Sequence, residues 1–310
     1  MSRVRWAVRA RGALGYTAPM PRELFEILAP TFLSAFSGWV WVRSGRAFDR
    51  RLVGDLISII GAPCLVFSSL TSVAVSPAAM LEIGGAAALA FSVFAVLGFA
   101  ALSLVGLSRR TFLAPMVFGN HGNLAVPVCL FAYGLEGQAL ALVFFAVAAS
   151  LQFSFGLFLW SGRFDLLELV RNPVGLAALL AVLAVVLDVP VPGVVQNTTR
   201  LLGGFAIPLM LVALGAAIAE LEVSDLRTSL ALASLRLLSG IALGFTLSWA
   251  LDLEGIARGV FVLQCAMPAA VFNFLFAQRF DREPERVASL VVVSTLLGAA
   301  ILPLLLTAIL

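Results

Sequence analysis

The sequence predicts an all-α integral membrane protein: ten transmembrane helices as two inverted five-helix repeats, with broken crossing helices 4 and 9. Composition predicts the membrane, because 61% of the 310 residues are hydrophobic and only 12% are charged, whereas soluble domains have about 25% charged residues. The breaks are predicted by two apolar stretches, Phe112–Tyr133 and Gly259–Gln278, which contain amides, glycines and prolines at mid-membrane depth. Unpaired backbone in hydrocarbon costs several kcal/mol per group, so such a break must line a cavity or bind something.

Ten apolar stretches are each near the length of about 20 residues that a membrane crossing needs. In order they are Leu24–Val42, Gly54–Ser72, Ile83–Leu107, Phe112–Tyr133, Gln138–Trp160, Pro173–Leu187, Thr198–Ala219, Ser229–Leu251, Gly259–Gln278 and Val287–Leu310. The short loops between them exclude a large soluble enzyme or nucleic-acid-binding module.

The ten spans divide into a first repeat at 23–162 and a second repeat at 173–310. An odd number of spans per repeat inverts the second repeat in the membrane. Spans 2 and 7 correspond through Pro63 and Pro208, each of which precedes an aliphatic run. Interrupted spans at matching places in two halves indicate the binding site of a secondary transporter.

The positions of the arginines predict the orientation of the protein in the membrane. Arginine alone provides the positive charges that this prediction counts, because the chain has no lysine. Most arginines lie in loops on one side, which the positive-inside rule makes cytoplasmic, so both termini are predicted outside the cytoplasm. We expect a multi-pass protein of the cell (inner) membrane. The basic stretch 1–22 contradicts this orientation, because its arginines would lie outside the cytoplasm. This contradiction favours a translation start at Met20, and a genuine basic tail is the alternative.

The break in span 4 predicts the substrate site. If the helix unwinds there, its second half begins near Leu124, with Pro127 in or next to its first turn, and presents a positive N-terminal end that attracts anions. Span 9 provides a second end near Pro268. The candidate substrate-binding residues are Asn120, His121, Asn123, Pro127, Gln264, Pro268 and Asn273, with Gly119 and Gly122 at the helix break and Pro63 and Pro208 in the scaffold.

Each of these polar residues also has a structural interpretation. Buried asparagines bond neighbouring helices in many membrane proteins, and His121 is either a proton relay or a satisfied core histidine. Arg236 and Asp55 are candidates for a charge role, against snorkelling to the interface for Arg236 and a solvated helix end for Asp55. No catalytic motif, cofactor site or metal site is predicted, and the three cysteines are expected to pack as small apolar residues.

Five stretches resemble the auxin efflux carrier family, whose prokaryotic members include malonate and other carboxylate permeases. They are APCLVFSSL, GNHGNLAVPVCLFAYG, GGFAIPLMLVALGAAIA, QCAMPAAVFNFLFAQRF and ERVASLVVVSTLLGAAILPLL. The resemblance implies two inverted five-helix repeats, similar to the bile-acid/sodium symporter architecture. It also implies that Asn120, Asn123, Pro127 and Pro268 border the substrate.

The expected function is secondary transport of a small organic anion, a mono- or dicarboxylate, by alternating access at the crossing of helices 4 and 9. A sodium-coupled anion symporter, with Gln264 and Asn273 holding the ion, is one alternative, and a membrane ligand sensor without transport is another. The expected partners are the anion, the lipid bilayer and a coupling H+ or Na+, with no nucleic acid. Substrate identity, direction and oligomeric state, a homodimer included, stay open.

Overall fold

A computed structural model describes residues 21–73, 75–162 and 171–310. All regular secondary structure within these ranges is helical. Seven continuous helical runs in these ranges are long and apolar enough to cross a membrane, which agrees with the predicted all-α integral membrane protein. Met20, the basic stretch before Pro21 and most of the loop that joins the predicted repeats lie outside the described residues.

The described residues of the first half form seven helices and three π-helical turns. The helices are α1 (Pro21–Arg43), α2 (Arg50–Asp55), α3 (Ala62–Ser72), α4 (Pro77–Leu104), α5 (Arg109–Val117), α6 (Val126–Leu151) and α7 (Leu157–Ser161). The first π-helical turn, Leu56–Gly61, joins α2 to α3; the second, His121–Ala125, leads into α6; and the third, Gln152–Gly156, joins α6 to α7. Local signals explain the helix starts: Ser76 caps α4 ahead of Pro77, and Ser108 caps α5.

Between residues 171 and 310, which are all described, the chain forms another seven helices. They are α8 (Pro173–Val186), α9 (Gly193–Gly203), α10 (Ala206–Glu220), α11 (Leu226–Ala250), α12 (Gly255–Cys265), α13 (Val271–Arg279) and α14 (Pro284–Ile309). Asn172 caps α8, and Asp225 caps α11 through the Thr228 N–H. Residues 266–270 separate α12 from α13, so the break predicted in span 9 is present.

Helix lengths depart from the predicted spans in two places. Predicted spans 4 and 5 share one helical run of 41 residues, His121–Ser161, which would measure about 62 Å if straight. It is not straight, because Gly134 has non-helical φ and ψ angles of 71° and −158°. Helix α8 has 14 residues and is about 21 Å long, shorter than the hydrocarbon core of about 30 Å.

The helices pack in two groups. The first group, which we call the scaffold, contains α1–α3 and α8–α10, with α1 along α10 and α3 between α8 and α9. The second group, the core bundle, contains α4–α7 and α11–α14, where α11 packs on α12 and α14. Helices α1 and α10 approach closely because Gly215 faces the backbone of Ala35 and Gly38 faces Val212. Small residues permit such close packing in membranes.

Polar contacts at the helix ends lie within each group. In the scaffold, Arg50 of α2 pairs with Glu220 of α10. In the core bundle, Arg286 of α14 bonds Asp225 at 3.0 Å and Glu283 at 2.5 Å. The hydrogen bond from Arg286 holds the pKa of Glu283 below its ordinary value. These pairs tie each group together at its arginine-rich end.

The contact of Gly215 with α1 predicts a cost for an added methyl group. Gly215→Ala should destabilise the protein by about 1–3 kcal/mol, because its Cβ would overlap the carbonyl group of Ala35. Thermal unfolding in detergent measures this change. Gly85→Ala is the matched control, since Gly85 lies inside α4 with no atom within 4 Å of the new Cβ. An equal unfolding temperature for the two variants would contradict the packing.

Candidate functional site

The two helix breaks cross and pair with each other. The N–H of Asn120 donates to the carbonyl of Pro268 at 2.7 Å, and the N–H of Ala270 donates to the carbonyl of Phe118 at 3.1 Å. Gly119 and Ala269 form an antiparallel bridge between these bonds. Each break therefore satisfies backbone groups of the other, and Pro268, which has no N–H, participates through its carbonyl.

His121 fastens the crossing to α6 and α12. Its Nε2 accepts a hydrogen bond from the Gly119 N–H at 3.0 Å, and its Nδ1 lies 3.1 Å from Oε1 of Gln264. An imidazole that accepts at Nε2 must carry its proton on Nδ1, so the ring is neutral and Nδ1 donates to Gln264. The amide of Gln264 in turn donates to the carbonyl of Ala141 at 3.1 Å. This geometry favours the satisfied core histidine over the proton relay.

Asn273 adds a second side-chain bond to the crossing. Its Nδ2 donates to the carbonyl of Phe118 at 3.0 Å, which also accepts from Ala270. Nδ2 of Asn273 therefore bonds across the crossing and not within its own helix. Its Oδ1 is buried and has no hydrogen-bond partner among the described residues.

A cavity of about 40 Å³ lies beside the crossing. All three π-helical turns contribute to its wall, together with Met210 of α10 and Phe272 of α13. The polar lining residues are Ser58 from the first turn, Asn120, His121 and Asn123 at the second, and Gln152 from the third. π-Helical turns are rare and occur frequently at functional sites. Three at one cavity between the scaffold and the core bundle make it the candidate binding site.

Two amide groups at this cavity have unused donors. Nδ2 of Asn120 and Nε2 of Gln152 are buried and lack a partner in the described part of the chain, and the two residues are 3% and 8% exposed. A buried donor without an acceptor costs about 1–3 kcal/mol. A ligand with acceptor oxygens would remove that cost. Sequence reasoning missed Gln152, although a glutamine inside the apolar run AASLQFSFG was the available signal.

The other predicted residues divide between the cavity wall, the crossing and positions away from both. Pro127 is buried in the first turn of α6, and Pro63 lies in the first turn of α3. Pro208 lies in α10, and Asp55 is exposed at the end of α2, as expected for a solvated helix end. Gly119, Gly122 and His121 line the cavity, whereas Gln264, Pro268 and Asn273 hold the crossing next to it.

Arg236 reaches the crossing from α11 and is fully buried. Its Nη1 donates to the carbonyl of Cys265 at 3.3 Å, and its guanidinium lies 4.2 Å from the ring centroid of Phe94. The snorkelling interpretation is therefore wrong, because the side chain points into the core bundle.

Crossing broken helices with a polar site beside them are an arrangement that many transporter folds share. Residues 157–306 match the family model described as "Membrane transport protein". An uncharacterized transporter from Methanothermobacter thermautotrophicus (strain Delta H) is 31% identical over 195 residues, which cover 60% of this chain and 63% of that protein. Both matches confirm that this chain resembles a family of membrane transport proteins, as the resemblance to the auxin efflux carriers predicted.

The His121–Gln264 pair predicts a non-additive loss of stability. His121→Phe keeps the ring packing against Phe91 and Phe144 but leaves the Gly119 N–H and the Gln264 oxygen unpaired. Each single change, His121→Phe or Gln264→Leu, should cost about 1–3 kcal/mol. The double variant should lose less than the sum of the two, because both remove the same bond. Strict additivity in thermal unfolding would show that the two side chains do not interact.

Proposed function

We propose that this protein is a secondary transporter of a small organic anion, a mono- or dicarboxylate, that binds in the cavity beside the crossing. The observation that carries the proposal is the pair of buried, unpartnered amide donors on Asn120 and Gln152. The helical run that starts at His121 also presents its N-terminal end at the cavity, where its partial positive charge favours an anion. Asn123 adds a further amide to the wall.

The proposed topology has ten membrane crossings in two inverted repeats, 23–162 and 173–310. The bend at Gly134 supports two crossings in the run His121–Ser161, which is about twice as long as the hydrocarbon core is thick. The local two-fold pairing of Phe118–Asn120 with Pro268–Ala270 supports the inverted relation of the breaks. With the arginine-rich loops in the cytoplasm, both termini lie outside the cytoplasm and the protein resides in the inner membrane.

Alternating access follows from the two helix groups. The cavity lies where they meet, with Ser58 and Met210 on the scaffold and Asn120 and Gln152 on the core bundle. A space of about 40 Å³ holds a few water molecules, each needing about 10–15 Å³, and is too small for a dicarboxylate. Substrate entry therefore requires the two groups to separate on one side. Rocking of the core bundle against the scaffold would open the two sides in turn.

The sodium-coupled alternative assigned the ion to Gln264 and Asn273. Gln264 uses its oxygen for His121 and its nitrogen for the Ala141 carbonyl, whereas Oδ1 of Asn273 is buried without a partner in the described part of the chain. No observation favours the sensor alternative. Transport of the anion through the cavity is the better-supported function.

The cavity amides predict a specific loss of transport. In proteoliposomes with the purified protein, Asn120→Ala, Asn123→Ala and Gln152→Ala should each lower the apparent affinity for labelled malonate about 10- to 100-fold. The reason is that a hydrogen bond to a charged group contributes about 1.5–3 kcal/mol. Gln278→Ala is the matched control, because Gln278 is exposed at the end of α13.

The apparent affinity is measured as exchange of labelled malonate against a panel of small mono- and dicarboxylates. An immunoblot checks that equal amounts of each variant are reconstituted. Wild-type affinity in all three cavity variants would refute the site. No flux of any acid in the panel by the wild-type protein would refute the proposed substrate class.

A further inference from the structure

Close packing of α11 against α12 brings Arg236 to the crossing. Gly240 and Gly244, four and eight residues after Arg236, lie against the end of α12, and a Cβ at Gly240 would overlap the Cys265 carbonyl. Arg236 therefore shares the helix face that contacts α12. Its bond to Cys265, the last residue of α12, places the guanidinium at a helix C-terminus.

The same guanidinium lies against the other break. A Cβ built on Gly119, two residues beyond the end of α5, would lie 2.7 Å from Nη2 of Arg236 and 3.1 Å from the carbonyl oxygen of Met267. Only glycine leaves this space free. The charge thus lies between the ends of two half-helices, α5 and α12.

No acidic side chain neutralises this charge in the described ranges. The ion pairs found there do not include Arg236, and its Nε and Nη2 have no hydrogen-bond partner. Its other neighbour is the ring of Phe94. An unpaired buried charge is costly and is retained in membrane proteins mainly for function.

The helix ends themselves provide the compensating negative charge. The last carbonyls of a helix lack internal partners and carry about half a negative charge. In transporters with broken helices, half-helix C-terminal ends and unwound carbonyls coordinate Na+ or H+. At this crossing the position next to the Cys265 and Met267 carbonyls already holds a covalently attached cation.

We propose that Arg236 is the resident cation of the crossing and takes the place of a free coupling cation. With this charge in place, the crossing keeps its geometry without bound Na+. The neighbouring cavity also keeps its positive electrostatic potential without bound Na+. The transport part of this inference rests on the proposed function, whereas the stabilising part does not.

The test compares Arg236→Met, which removes the charge, with Arg236→Lys, which keeps it, and with Arg258→Met. Arg258 is the matched control, since it is an exposed arginine that lies near an aromatic ring, Phe245. Thermal unfolding of each purified protein is measured in NaCl and in choline chloride at equal ionic strength. Malonate exchange is measured in the same two salts.

Sodium should not change the unfolding temperature of the wild type, of Arg236→Lys or of Arg258→Met. Each of these proteins should unfold at the same temperature in NaCl as it does in choline chloride. Arg236→Met should unfold earlier in choline chloride and recover by about 3 °C or more in NaCl, because Na+ binds the vacated carbonyls. Its malonate exchange should become sodium-dependent, while wild-type exchange is the same in both salts.

Sodium stabilisation of the wild type, or Arg236→Met behaving like Arg258→Met in both salts, would overturn the proposal. If Arg236→Met does not fold, Arg236→Lys decides: a folded protein that is insensitive to sodium supports a charge role, and failure to fold or a gain of sodium dependence refutes it. A wild type that exchanges no carboxylate while the unfolding data follow the expected pattern would refute the proposed function and leave the resident cation supported.

Discussion

The backbone of a helix that breaks inside a membrane must find hydrogen-bond partners within the protein, and this requirement organises the rest of the structure. In hydrocarbon an unpaired peptide group costs several kcal/mol. The breaks after α5 and α12 satisfy this requirement by pairing with each other through the N–H groups of Asn120 and Ala270. Each break accepts a hydrogen bond from a backbone N–H of the other, so the two halves of the chain are joined at this point.

The side chains around the crossing complete this arrangement. His121 satisfies the remaining N–H of Gly119, Asn273 bonds the Phe118 carbonyl, and Arg236 bonds the Cys265 carbonyl at the end of α12. These bonds make the crossing a rigid part of the core bundle. The cavity beside it combines this rigid wall with Ser58 and Met210 of the scaffold. A binding site between two separately packed groups is what alternating access requires.

The sequence predicted the parts of this site that local chemistry determines. Prolines and glycines in apolar stretches predict breaks, and Asn120 beside Gly119 predicts a polar group at depth. Proline alone was a weaker guide to binding, since Pro127 and Pro63 lie in first turns of helices and away from the cavity wall. Both prolines come just after a π-helical turn inside a continuous helical run, where each removes one backbone donor from the helix.

The remaining features depend on contacts between distant segments and cannot be read from local patterns. Gln152 lines the cavity because it lies in a π-helical turn, and no local sequence motif predicts that turn. The tautomer of His121 depends on Gln264, 143 residues away. Arg236 was ambiguous between snorkelling and burial until the packing of Gly240 on α12 determined its direction.

The proposed binding of a carboxylate to the cavity amides can be tested directly. Solid-state NMR of the protein in bilayers, with 13C-carboxyl malonate and 15N side-chain amides, measures the distance between the carboxyl carbon and the amide nitrogens. We expect a carboxyl carbon within about 4 Å of the amide nitrogens of Asn120 and Gln152, the separation of hydrogen-bonded groups. Malonate that is bound and transported without dipolar contact to either amide would contradict it.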